Sequence, residues 1–85
     1  MYYVYIIECR DGTLYTGITT NIERRWQEHQ AGKASRYTRA HGVVALLYTE
    51  SQKNRSTATQ REWQIKQLTR KEKIRLIKGS ECSKT

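Results

Sequence analysis

The chain is expected to fold as an α/β domain, with a three-stranded, largely antiparallel sheet in the order β-β-α-β-α-α flanked by helices. Three observations lead there. Residues 2–18 hold two short runs of β-branched and aromatic residues split by Asp11-Gly12, which is the pattern of a hairpin. Val43-Val44-Ala45-Leu46-Leu47-Tyr48 is a nearly unbroken apolar run of strand length. Between and after these segments, apolar residues recur at helical spacing, and Thr20-Asn21-Ile22-Glu23 and Thr69-Arg70-Lys71-Glu72 both fit capping boxes.

The first strand, residues 2–9, alternates Tyr3, Tyr5 and Ile7 on one face with Val4 and Ile6 on the other. Residues 13–18 are its partner. A two-residue turn at Asp11-Gly12 would place Tyr5 and Tyr15 on opposite faces. A three-residue loop, Arg10-Asp11-Gly12 with Gly12 left-handed, puts Tyr5, Tyr15 and Gly17 on one face. The second register is the expected one. The first helix should run from the Thr20 capping box to about Ala31 and stop at Gly32. Ile22, Arg25, Trp26 and His29 share one sector of it. Residues 32–42 read as a basic polar loop. The run Val43–Tyr48 follows as a strand buried on both faces, then a polar turn over residues 51–54. A second helix is expected from about Ser56 to Leu68, and a third from the Thr69 box to Gly79. The domain spans residues 1–78, with 79–85 a polar, disordered tail.

Eighty-five residues suffice for one small domain. No apolar run is long enough to cross a bilayer, and the N-terminus lacks the pattern of a signal peptide. A cytoplasmic location is therefore expected. The two cysteines, Cys9 and Cys82, are too few for a disulfide framework and lack metal-ligand spacing, so both are expected as reduced thiols. Sixteen Lys and Arg against eight Asp and Glu give +8 and a pI near 9.8. That excess calls for a polyanionic partner, nucleic acid first, unless the charge serves only solubility.

Several polar residues interrupt the apolar pattern. Glu62 falls between Ala58 and Ile65 on the inward stripe of its helix, where an unpaired carboxylate would cost several kcal/mol. It could hold a hard divalent cation such as magnesium. Alternatively it reaches back to Thr59 as a capping box, or pairs with Arg25. Arg25 and His29 are one turn apart, hence adjacent. The planar fork of an Arg suits phosphate, and a His beside it could donate to phosphate or shuttle a proton. A hydrogen-bonded core histidine is the competing reading. Tyr5 and Tyr15 carry phenols, which are poor bases unless cations favour the phenolate. Each could equally be packing.

Taken together, these residues resemble the GIY-YIG nuclease domain from Tyr3 to about Ile77, and in particular its small single-domain bacterial members. The likeness rests on Tyr3-Val4-Tyr5 and Tyr15-Thr16-Gly17. It extends to Arg25-x-x-x-His29, the segment Lys33-Ala34-Ser35-Arg36-Tyr37-Thr38-Arg39, and Arg61-Glu62 followed by Ile65-Lys66. The resemblance implies a nuclease that hydrolyses phosphodiesters with one divalent ion, Mg2+ or Mn2+. On the matching positions, Glu62 would hold the metal and Tyr15 would serve as general base or water-positioning group. Arg25 would neutralise the scissile phosphate. Tyr5 and His29 would hydrogen-bond to phosphate or water, and Gly17 would keep the floor clear for close approach.

Tyr3, Val4 and Thr16 depart from the name-giving tripeptides, and no asparagine follows Glu62 as it does in many larger relatives. Those relatives carry separate DNA-binding domains. Here binding would come from the chain's own basic surface, with Lys33, Arg36, Thr38, Arg39 and Lys66 as contacts to nucleic acid. DNA is favoured over RNA. Low sequence specificity, selection by structure or strand end, and room for a targeting protein follow. The alternative is a catalytically weak or inactive nucleic-acid-binding module of the same fold.

Overall fold

The computed structural model describes residues 1–82, with side-chain surroundings up to Gly79. The elements run β1 (Tyr2–Cys9), β2 (Leu14–Thr19), α1 (Ile22–Gln30), α2 (Arg36–His41), β3 (Val43–Gln52), α3 (Arg55–Gln67) and α4 (Arg70–Cys82). The strands form one antiparallel sheet in the order β2-β1-β3. β1 is therefore the central strand, and Val4, Tyr5, Ile6 and Ile7 are each at most 1% exposed.

The hairpin takes the three-residue loop. The Cys9 N–H donates to the Thr13 carbonyl at 2.9 Å and the Gly12 N–H to the Cys9 carbonyl at 2.9 Å. Gly12 has φ +85°, a conformation natural to glycine. Asp11 accepts from the Thr13 hydroxyl at 2.7 Å and from its N–H at 3.1 Å. Tyr5 lies opposite Gly17 and Ile7 opposite Tyr15, so both phenols share a face. On the other face, Val4 and Ile6 join Ala58, Ile65 and Ile77 in the main core under α3 and α4. The phenol face is covered by α1 through Ile22, Arg25, Trp26 and His29. The sheet thus lies between two helical layers.

Five expectations are corrected. The cap of α1 is Asn21, whose side chain accepts from the Arg24 N–H at 3.0 Å, while the Thr19 hydroxyl accepts from the Asn21 N–H at 3.1 Å. The Thr20–Glu23 box therefore does not form. The predicted loop over 32–42 contains α2, capped by the Ser35 side chain on the Tyr37 N–H and closed by Gly42 at φ +73°. This adds a helix to the expected order. β3 is an edge strand, and it is not buried on both faces. Its register against β1 slips twice, leaving Leu47 and Val44 without a partner opposite, and Val44 is 56% exposed. Such bulges twist an edge away from further pairing. β3 also runs on to Gln52, which shortens the expected turn. The final helix passes through Gly79 to Cys82. Its start is as expected: the Thr69 N–H donates to Glu72 at 2.9 Å, and the Glu72 N–H to the Thr69 hydroxyl at 3.2 Å.

Residues 83–85 of the expected tail lie outside the described residues, as does the side chain of Cys82. Cys9 is buried, and burial pushes its thiol pKa up. Among the described residues, no helix is long and apolar enough to cross a membrane.

Candidate active site

Gly17 sets the geometry of the phenol face. A Cβ placed on it would stand 2.5 Å from the Tyr5 hydroxyl oxygen, 2.7 Å from Tyr5 Cζ and 3.2 Å from Tyr15 Cε2. The absent side chain makes room for the two tyrosine rings, rather than for an approaching phosphate as the sequence suggests. Tyr5, 1% exposed, lies across the bare backbone of β2.

Its hydroxyl meets His29 Nε2 at 2.8 Å, and His29 Nδ1 meets Thr38 Oγ1 at 2.8 Å. The Thr38 hydroxyl donates onward to the Ser35 carbonyl at 3.3 Å, which fixes the direction of the chain. Thr38 accepts from Nδ1–H, so Nε2 is the acceptor for the Tyr5 hydroxyl. His29 is therefore the neutral Nδ1–H tautomer. Burial, with Arg25 nearby, lowers its pKa from 6.5 to about 4, against an opposing pull from Glu28. Burial also pushes the Tyr5 phenol up, Tyr15 and Glu62 add to the rise, and Arg25 opposes it. Both groups stay uncharged, and at 1% and 2% exposure they face each other rather than a substrate.

Tyr15 is half-buried. Its ring meets His29 edge-on at 5.4 Å and stacks on Tyr37 at 5.8 Å, and Tyr37 stacks on His41 at 4.1 Å. His41 Nδ1 is held by Asp11 of the hairpin loop. A strut of three aromatic rings thus runs from the hairpin turn, through α2, to the Tyr15 phenol. Tyr37 and His41 are four residues apart, so they share a helix face. Sequence reasoning missed this strut, along with Thr38 as the partner of His29, because no helix was expected over residues 36–41. The bracketing Ser35 and Gly42 were the available signal.

Arg25 projects from α1, its guanidinium 3.2 Å from Glu28 and its side chain 35% exposed. Its interaction with the Tyr5 hydroxyl and with Glu28 raises its pKa above the ordinary value, despite burial. Its Nε is buried and has no partner in the protein. Glu62 comes from α3, in the layer opposite α1. It neither caps Thr59 nor pairs with Arg25; Lys66 Nζ lies 3.4 Å from its carboxylate, which is 22% exposed. Its charge is felt at the Tyr5 phenol.

Among the described residues, no three of His, Cys, Asp and Glu are grouped as a metal cage. A single carboxylate fits a hard ion that draws its other ligands from water and phosphate. Lys33, Arg36 and Arg39 are exposed around a surface depression of about 210 Å3 at the start of α2. Lys66 is half-exposed beside Glu62. Thr38, expected among the nucleic-acid contacts, is corrected. It is 1% exposed and its hydroxyl is taken by His29 and Ser35.

A family model described as the GIY-YIG catalytic domain matches residues 1–75. A UPF0213 protein of Oceanobacillus iheyensis is 50% identical over 80 residues, covering 94% of this chain and 93% of its own. One from Halobacterium salinarum is 52% identical over 77 residues, covering 91% of this chain and 100% of its own. The solution NMR structure of a UPF0213 protein from Bacillus halodurans superposes with a TM-score of 0.58 at 40% identity, covering 92% of this chain and 84% of that one.

Proposed function

Because this chain belongs to the GIY-YIG family, whose members are generally divalent-metal-dependent nucleases, we propose that it hydrolyses phosphodiester bonds in DNA. It would select strand structure or ends rather than sequence. What supports this reading is placement: Arg25 from α1 lines the same recess as Tyr5, the Tyr15 ring lies 6.4 Å from the Tyr5 ring, and α3, which carries Glu62, packs on the neighbouring strand β2. On this reading, three elements from two layers would offer a permanent cation, an accessible phenol and a carboxylate to one phosphodiester.

The residues fit the chemistry. The unpartnered Arg25 Nε is a donor suited to a phosphate oxygen, and the guanidinium stays charged as charge develops in the transition state. Glu62 would hold Mg2+ or Mn2+. When bound, the ion would withdraw charge from the phosphoryl group and make water a better nucleophile. Tyr15, more accessible than Tyr5, would take a proton from the attacking water or orient it. Tyr5 and His29 act as positioning residues, locking each other and packing against the Tyr15 ring. Lys33, Arg36, Arg39 and Lys66 would meet the backbone of the substrate.

The test incubates the full chain with branched, flapped and single-stranded DNA and matching RNA, with Mg2+, Mn2+ or a chelator. Cleavage of DNA that the chelator abolishes is the expected result. One observation favours a second reading, a binding module of the same fold without cleavage: the cation beside Glu62 in the structure is Lys66. Salt-dependent binding with no cleavage under either metal would select it.

A further inference from the structure

Away from the Tyr15 phenol, α2 and the end of β1 enclose a polar cleft of about 410 Å3. Arg10 enters it from the hairpin loop after β1 and Arg39 from α2, with Gln30, Thr38 and His29 also lining it. Two glycines shape the walls. A Cβ on Gly42 would stand 2.9 Å from Arg10 Cδ and 3.1 Å from its Nε, so the arginine lies flat across Gly42. The Arg10 N–H also donates to the Gly42 carbonyl at 3.0 Å, tying the hairpin to the end of α2. On the opposite wall, Arg39 Cγ passes 3.6 Å from the corresponding position on Gly32.

Neither guanidinium has a carboxylate partner or a side-chain hydrogen bond among the described residues. The nearest acid in sequence, Asp11, is engaged by Thr13 and His41. Two separate elements therefore deliver two guanidinium forks, neither held by a carboxylate, into one polar recess. The planar donor geometry suits the oxygens of a phosphate group.

We propose that the Arg10–Arg39 cleft is a phosphate subsite, binding a non-scissile phosphate of the nucleic-acid strand. It rests on the nucleic-acid reading for its ligand, but not on cleavage. The phosphate could be an internal diester or a terminal monoester, and the cleft favours whichever brings the higher charge between the forks.

The test uses the full chain carrying Glu62→Gln, so that binding is read without turnover. The probes are hexathymidylates with a 5′-hydroxyl or a 5′-phosphate, followed by NMR on the Gly42 and Gln30 amides and the Arg10 and Arg39 Nε–H groups. Saturable shifts at these groups are expected with both probes, and tighter binding of the 5′-phosphorylated one marks the terminal monoester. Arg10→Gln with Arg39→Gln should weaken binding roughly tenfold or more and lower the salt slope by roughly 0.7 per lost phosphate contact. A control removing two exposed charges elsewhere, Lys53→Gln with Lys71→Gln, should weaken it much less. Equal losses in the two pairs, or no shifts at the cleft while other residues respond, overturn the subsite. So does an absence of any binding. Cleavage by the native chain without cleft binding would sink the subsite alone, and cleft binding without cleavage would sink only the nuclease.

Discussion

Acid should loosen this fold through one side chain. His29 is 2% exposed, and its pKa falls from 6.5 to about 4 on folding. A histidine whose folded pKa is depressed favours the neutral state. Its contribution is whole above pH 6.5 and is lost as pH falls toward 4, because only the unfolded chain takes up the proton in that window. At 1.36 kcal/mol per unit, the full loss is about 3 kcal/mol, of which about 2 kcal/mol is gone by pH 5. Against a typical total of about 5–15 kcal/mol the effect is large. Carboxyl groups add little until the bottom of that pH range. Asp11, held down to about 2 by Thr13, and Glu72, lowered by its hydrogen bonds to Thr69, release their stabilisation at lower pH. Urea denaturation between pH 7.5 and 4.5 should show the midpoint falling by roughly 1–2 M. The slope should flatten in His29→Gln, and NMR titration of the native imidazole should give a midpoint near 4. A flat profile from pH 7 to 5, or the same slope without His29, refutes the buried neutral relay.

Three further outcomes follow from the same geometry. Gly17→Ala sets a methyl 2.5 Å from a Tyr5 hydroxyl that His29 holds in place, so thermal melts should show a loss of about 1–3 kcal/mol; a change below about 0.5 kcal/mol would mean Tyr5 yields freely. Tyr37→Ala removes the middle ring of the strut, and the Tyr15 ring resonances should broaden or shift while the β1–β2 amides keep their positions. Sharp, unshifted Tyr15 signals would show that the strut does not hold the phenol. Tyr5 has a raised pKa, so its stabilisation is full below pH 10 and is lost as pH rises above it. The last part of the tyrosinate absorbance to appear, that of the buried Tyr5, should rise together with unfolding, and Tyr5→Phe should remove that coupled part.

The hairpin was readable because Asp11-Gly12 allows few loop lengths and each implies a different pairing of tyrosines. Arg25, His29 and Glu62 were readable as breaks in helical apolar stripes, a signal carried by period alone. α2 was not. Six residues with one buried side chain, Thr38, carry no apolar period, and its helicity comes from Ser35 and Gly42 at its ends. The exposed face of β3 was hidden for a related reason: an apolar run reads the same in a central strand and in a bulged edge strand, and only the sheet order separates them. The error over Thr38 followed from the missing helix, since on a loop a threonine among basic residues looks solvent-facing. Tyr5 and His29 read in the sequence as contacts to phosphate or water, whereas in the structure they hydrogen-bond to each other. Burial, which sequence does not report for polar side chains, turns them toward each other.

The most direct test compares native and Glu62→Ala chains on flapped DNA with Mg2+ or Mn2+, with urea melts run alongside. The side chain makes one half-exposed ion pair, so its removal should cost no more than about 1 kcal/mol of stability. Cleavage should fall at least about a hundredfold. A correctly folded Glu62→Ala chain that still cuts at the native rate would contradict the account.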